Sequence, residues 1–362
     1  MSLHSPRRVL FIGIDGLRPD CLKKYAPNIY KYGMKNHYFR NSQVEIPLSS
    51  PSWATIFSGL SSKRTGITNN NFQGLTFSNK DNNLENNKEN TIFNYICKKK
   101  RNPGADKKSV MISSGPWNGI HIICNYKGNT GYGIDDNIRI FNNHVQKNIG
   151  KKIFEKESLD MEYKSEKKTL EHCLRYIDNS DYNFVGFYSH IIDSIGHSFG
   201  HDCRVKKYTD TIKKIDILIK KLLDKIEDRR GEEEWMVIIT TDHGGSSRKY
   251  MKKTERGLKL LEEFDKDKQI NVVISQCHSE GIHGLKNMKE HTNTFIIISR
   301  NRKQNRRTNR KTNRRKNRRT NRRTNRKNID SKDISPTIIK FLLKNSKNKE
   351  NILKNMEGKP II

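Results

Sequence analysis

VLFIGIDGLRPD, residues 9–20, decides the fold. Residues 8–14 form a short apolar run that closes on Gly and then on Asp15, the pattern of a strand covered on both faces. Two later segments repeat the arrangement. FVGFYS (184–189) leads into HIIDSIGH, which carries Asp193 and His197, and WMVIITT (235–241) leads straight into Asp242 and His243. Further strands are predicted at 38–46, 109–113 and 294–299. Helices are predicted at 27–34, 51–58, 91–99, 154–178, 205–228 and 333–343. Strands alternating with helices predict an α/β fold, a mostly parallel central sheet with helices on both faces. Ligands of such sheets gather beyond the carboxyl ends of the strands, so the three acidic strand ends should share one cleft.

The chain has 362 residues, enough for a sizeable core, and is expected to form a single domain over 1–362. Its formal net charge is +32, but residues 300–327 hold sixteen Lys or Arg and no acid, and without them the charge falls to +16. The block 300–328 repeats NRRT or NRKT with a period of four. Such charge density opposes packing, so a disordered insertion within the domain is expected, one able to contact nucleic acid or an anionic membrane surface. The remaining basic balance favours anionic ligands by steering. No apolar run reaches the ~18 residues of a membrane span, and the N-terminus lacks the long apolar core and cleavage site of a signal peptide. The six cysteines are scattered without a CxxC pair, which predicts reduced thiols and a cytoplasmic protein.

The chemistry-bearing residues follow the strand ends. Asp193 and His197 are four apart, one helix face, as two ligands of one metal require. Asp242 and His243 are neighbours, able to reach one site only if the backbone turns, and Gly244 and Gly245 are expected to make that turn. An acid such as Asp15 after a strand is otherwise a turn residue, with Gly13 and Gly16 allowing tight turning on either side. His283 stands between Gly281 and Gly284, with His278 as its competitor. His190, His201 and Asp202 are expected behind the ligands or on the surface. SSPSWATIFSG (49–59) predicts a Pro-started helix with Ser49 or Ser50 as N-cap. A hydroxyl there lies among free N–H groups, which favours an alkoxide and a bound phosphate. Carboxylates and imidazoles delivered by several strand ends suggest a two-metal phosphoryl-transfer site.

Together these segments resemble the alkaline phosphatase superfamily, and within it the type I phosphodiesterase/nucleotide pyrophosphatase branch. The resemblance runs in order through VLFIGIDGLRPD, APNIYKYG, SSPSWATIFSGLSSKRTGITNNNF, FVGFYSHIIDSIGHSFG, WMVIITTDHGG, GIHGL, TFIIIS, DISPTIIKFLL and EGKPI. It implies an alkaline phosphatase-like core and a hydrolase acting on a small phosphate ester through two zinc ions, other divalent metals being chemically possible. One ion would be held by Asp193, His197 and His283, the other by Asp15, Asp242 and His243, with Ser49 as the metal-activated nucleophile. Asn70, the best match among Asn69, Asn70 and Asn71, would contact the phosphate. The branch usually carries Thr at the nucleophile, and Ser preserves the hydroxyl. Sulfatases place Arg where Trp53 stands and begin with paired aspartates, whereas this chain has Asp15 alone. The rival readings are a phosphomonoesterase or sulfatase with the same cage, and a degenerate scaffold binding nucleic acid through 300–328.

Overall fold

A computed structural model describes residues 6–70, 90–96, 108–115, 117–127, 133–140, 156–229, 233–266, 279–300 and 329–362. The expected basic insertion, Cys97, Cys277, His278 and Asn71 lie outside the described residues.

The strands are β1 (Arg7–Ile14), β2 (His37–Gln43), β3 (Lys108–Ser114), β4 (Asp136–Ile140), β5 (Tyr182–Ser189), β6 (Glu234–Thr240), β7 (Ser246–Ser247), β8 (Gly281–Ile282) and β9 (Asn293–Arg300). All but β7 and β8 join one sheet in the order β2-β9-β6-β1-β5-β3-β4. β1 pairs in parallel with both β5 and β6, β3 pairs in parallel with β4 and β5, and β9 alone runs the other way. The three strands that end in acids, β6, β1 and β5, are therefore immediate neighbours. That adjacency is what brings Asp15, Asp193 and Asp242 together.

The longer helices are α1 (Pro27–Lys35), α2 (Ser49–Ser58), α3 (Lys156–Asp178), α4 (Ile191–Phe199), α5 (Lys206–Asp228), α6 (Glu255–Lys266) and α7 (Ile334–Leu342). Alternate residues of β1 feed two separate cores. Leu10, Ile12 and Ile14 pack with Leu170 and Cys173 of α3 and with Ile212, Ile215 and Leu222 of α5. Val9 and Phe11 face the other way, onto Trp53 and Phe57 of α2 and Ile334 and Ile338 of α7. Helices thus cover both faces, which is why the central strands read as unbroken apolar runs. Truncating a buried leucine such as Leu222 to Ala should cost about 2–5 kcal/mol.

Several boundaries differ from the sequence reading for physical reasons. β2 ends at Gln43, and Val44 and Ile46 are buried beyond it as chain leaving the sheet. β4, sequence DNIRI, was not expected at all; it is an edge strand, half-buried along its whole length, with no apolar run to announce it. α2 starts at Ser49 rather than Pro51, with Leu48 in the cap position and no side-chain cap bond. The expected Ser cap is thus corrected: the hydroxyl of Ser49 points elsewhere. Gly59 closes α2 at φ 72°, a left-handed turn that a β-carbon would strain.

The cysteine expectation is also corrected. Cys21 and Cys203 form a disulfide, with Cα atoms 5.6 Å apart and a sequence separation of 182. It ties the segment after β1 to the segment after α4. Cys124 and Cys173 are free and buried, and burial pushes both thiols well above their ordinary value. No helix among the described residues is long and apolar enough to cross a membrane.

Candidate active site

Each candidate ligand sits just past a strand. Asp15 follows β1, α4 starts two residues after β5 and carries Asp193 and His197, and Asp242 and His243 follow β6. The small β7–β8 pair, with Ser246 opposite Ile282, lays His283 beside that last segment. Gly16 takes φ 66°, and a β-carbon on it would come within 2.7 Å of Asp193 Oδ1. Gly244 and Gly245 follow His243 without a positive φ. Gly244 instead makes room, since a β-carbon there would stand 2.1 Å from the Glu290 carbonyl oxygen.

The side chains form one continuous cage. Ser49 Oγ lies 3.2 Å from His243 Nε2, which is itself 3.4 Å from Asp15 Oδ1 and 3.3 Å from Asp242 Oδ2. The His243 ring stacks on that of His283 with centroids 3.8 Å apart. His283 Nε2 meets His197 Nε2 at 3.2 Å, and His197 Nε2 lies 3.2 Å from Asp193 Oδ2. Asn70 approaches α2 from the side, its Oδ1 accepting from the Ser50 amide at 2.9 Å. That contact leaves the Asn70 amino group to donate elsewhere.

Ligand atoms converge in two overlapping triplets, each within 4.8 Å: Asp193 with His197 and His283, and Asp15 with Asp193 and His243. The first is the set the family resemblance implies. In the second, Asp193 takes the place expected for Asp242, whose Oδ1 accepts the Gly16 amide at 3.1 Å. Asp193 therefore stands between the two halves of the cage.

The donor chemistry suits divalent cations. Each imidazole turns Nδ1 to a carbonyl oxygen: His243 to Gly244 at 2.8 Å, His283 to Pro47 at 2.9 Å and His197 to Gly281 at 3.3 Å. A carbonyl only accepts, so Nδ1 holds the proton and the Nε2 lone pair is aimed into the cage. Tyr188 and Trp53 both donate to Asp15 Oδ2, while Asp15 Oδ1 and Asp242 Oδ2 are buried with no hydrogen-bond donor. Burial, with Asp242 and Asp193 beside it, pushes the Asp15 carboxyl well above its usual range, and burial with Asp193 pushes Asp242 up to about 8. Burial acts on Asp193 too, but His197 and His201 outweigh it and hold this carboxyl well below the usual range. Uncompensated buried carboxylates beside inward lone pairs are the arrangement a bound cation relieves.

His190, His201 and Asp202, expected behind the ligands or on the surface, are all buried. Sequence reading missed two acids nearby. Behind α4, Glu166 accepts from Ser114 Oγ at 2.6 Å and Ser189 Oγ at 2.9 Å, while both oxygens of buried Glu162 lack a donor. Burial raises Glu166 to about 7, and burial with Glu166 nearby raises Glu162 to about 8. These two acids sit four apart on a helix read only as charged, and no spacing rule separates them from its solvated face.

A mostly parallel seven-stranded sheet with helices on both faces defines the alkaline phosphatase-like fold class. The profile of the type I phosphodiesterase / nucleotide pyrophosphatase family matches residues 9–345, and the chain belongs to that family of hydrolases acting on phosphate ester bonds. Among solved structures it is similar to alkaline phosphatase PafA, at 11% identity and TM-score 0.57 over 100% of this chain and 99% of that one. It is similar also to murine ectonucleotide pyrophosphatase / phosphodiesterase 5 in an inactive form with AMP, at 16% identity, TM-score 0.54, 93% of this chain and 95% of that one. A third is the periplasmic domain of a phosphoethanolamine transferase from Campylobacter jejuni, at 9% identity, TM-score 0.50, 99% and 97%. No curated protein sequence matches.

Proposed function

We propose that this enzyme is a metal-dependent phosphodiesterase or nucleotide pyrophosphatase that uses Ser49 as nucleophile and two zinc ions, on a small phosphate ester or anhydride. The observation that carries the reading is Ser49 Oγ, at the N-terminus of α2, 3.2 Å from His243 Nε2 at the mouth of the cage. Asp193, His197 and His283 would hold one ion, and Asp15, Asp242 and His243 the other, with Ser49 completing it. When bound, such ions supply Lewis-acid polarisation of phosphoryl oxygens and lower the pKa of a coordinated hydroxyl or water. Ser49 Oγ forms a bond to phosphorus as the ester oxygen departs on the opposite side. Water then breaks the phosphoseryl bond and frees Ser49. The positive end of the α2 dipole and the Asn70 amino group favour the charge that builds on the phosphoryl oxygens.

The murine relative was solved with AMP, which supports nucleotide-like leaving groups as the first substrates to try. The Cys21–Cys203 pairing supports an oxidising compartment over the cytosol expected from sequence. The test is cleavage of a nitrophenyl phosphodiester by the purified chain. Chelation should abolish turnover and zinc should restore it, and Ser49→Ala should lower it at least about 10³-fold with the fold intact. Undiminished turnover in Ser49→Ala would end the nucleophile assignment.

A further inference from the structure

His201 lies eight residues past Asp193 and is fully buried. Its Nε2 is 2.9 Å from Asp193 Oδ1, and its Nδ1 has no hydrogen-bond partner. The carboxylate oxygen only accepts, so the proton sits on Nε2 and the ring makes a single polar side-chain contact, to Asp193. Three separate segments give up their side chains to admit this ring. A β-carbon on Gly196 would stand 2.1 Å from His201 Nε2, one on Gly245 2.7 Å from Cγ, and one on Gly281 2.7 Å from Nδ1. Arg18 holds the backbone in place by donating to the His201 carbonyl at 3.0 Å. Tyr208 closes the remaining side, edge to face with centroids 5.8 Å apart.

We propose that His201 is a positioning residue: it fixes Asp193 Oδ1 and so turns Oδ2 toward His197 and the cage. This rests on the reading of Asp193 as a ligand. Unbonded, the Asp193 carboxylate rotates about its last side-chain bond and presents either oxygen. With Oδ1 held at 2.9 Å, Oδ2 stays 3.2 Å from His197 Nε2, and Asp193 belongs to both ligand triplets. A hydrogen-bonded partner behind a ligating side chain commonly contributes 10–100-fold to metal affinity.

The experiment uses the metal-stripped full chain and titrates zinc against a chromophoric chelator, alongside thermal unfolding of the metal-free protein. His201→Leu fills the ring's space without a donor, and His201→Gln keeps an N–H. The expected result is that both variants remain folded without metal, with zinc affinity about 10–100-fold weaker in His201→Leu and largely recovered in His201→Gln. Wild-type affinity in His201→Leu, or equal losses in the two variants, overturns the proposal, since packing alone would then account for the ring. Asp193→Asn separates this from the underlying reading. If Asp193→Asn loses zinc and His201→Leu does not, only the positioning role falls. If Asp193→Asn binds zinc as wild type does, the ligand reading falls and takes the positioning role with it.

Discussion

The two ends of the central sheet bury charge in opposite ways. At the amino end of β1, Arg8 is fully buried and spends every N–H. It donates to the carbonyls of Tyr182, Ile177 and Asn179 at 2.7 Å, to that of Tyr176 at 2.9 Å and to Glu233 at 3.1 Å. Its guanidinium lies 4.3 Å over the Trp235 ring, and Trp235 Nε1 donates to Glu233 at 2.9 Å. Seven residues along, past the carboxyl end, Asp15 Oδ1 has no donor, and neither has Asp242 Oδ2. The chain neutralises one end by itself and leaves the other to be completed from outside. A buried polar group without a partner costs on the order of 1–3 kcal/mol, so the contrast is a functional expense carried by a well-compensated scaffold.

Substitutions of opposite sign break or sharpen that contrast. Glu233→Ala strands the Arg8 guanidinium and should destabilise by about 3–5 kcal/mol in denaturant unfolding. Asp242→Asn, in chelator at pH 8, should do the reverse and raise stability, because it removes a carboxyl held up to about 8 by burial and Asp193. A metal-free Asp242→Asn weaker than wild type at pH 8 would undo the comparison. The Cys21→Ser/Cys203→Ser double variant should lose about 2–4 kcal/mol, since the bridge closes a loop of 182 residues, and heating scans with and without reductant read this directly. A smaller effect is expected at Glu162, ionising near 4.5 unfolded and about 8 folded. The native state binds the proton more tightly, so stability falls as pH rises from 4.5 to 8. Glu162→Gln should flatten that slope and gain on the order of 1–3 kcal/mol at pH 8, seen in the pH dependence of the melting temperature. Smallest is the basic block: exchanging residues 301–328 for ten Gly/Ser residues should leave nitrophenyl diester hydrolysis unchanged and abolish retention on nucleic acid at moderate salt.

What was legible in the sequence is what local pattern encodes. VLFIGI, FVGFYS and WMVIIT announced three doubly covered strands, and the acid after each announced the cage. The fit of Asp193 and His197 to one helix face was visible as a spacing of four. The strand DNIRI escaped because an edge strand needs no apolar run. The disulfide escaped because no spacing rule joins cysteines 182 residues apart. His201 was placed behind the ligands or on the surface without a partner: its seat depends on Gly196, Gly245 and Gly281 meeting in space, and none of them is its neighbour in the chain. Ser49 was misread as a cap because a helix-opening serine has the same local signature whether its hydroxyl turns back to the backbone or out toward His243.

β9 runs against its neighbours, so it begins beside the cage and ends at Arg300 on the far rim, where Arg300 reaches Glu234 at 2.7 Å. Asp330 bridges Gln43, the partner of Asn293 at the start of β9. Arg300 and Asp330 therefore lie at opposite ends of the strands, about 24 Å apart at the usual rise per strand residue, a distance an extended chain covers in about eight residues. The chain supplies 28 between Arg300 and Ile329, several times what the climb requires. Because the entropic cost of a longer loop grows only logarithmically, the surplus length adds little to the cost of joining these two ends.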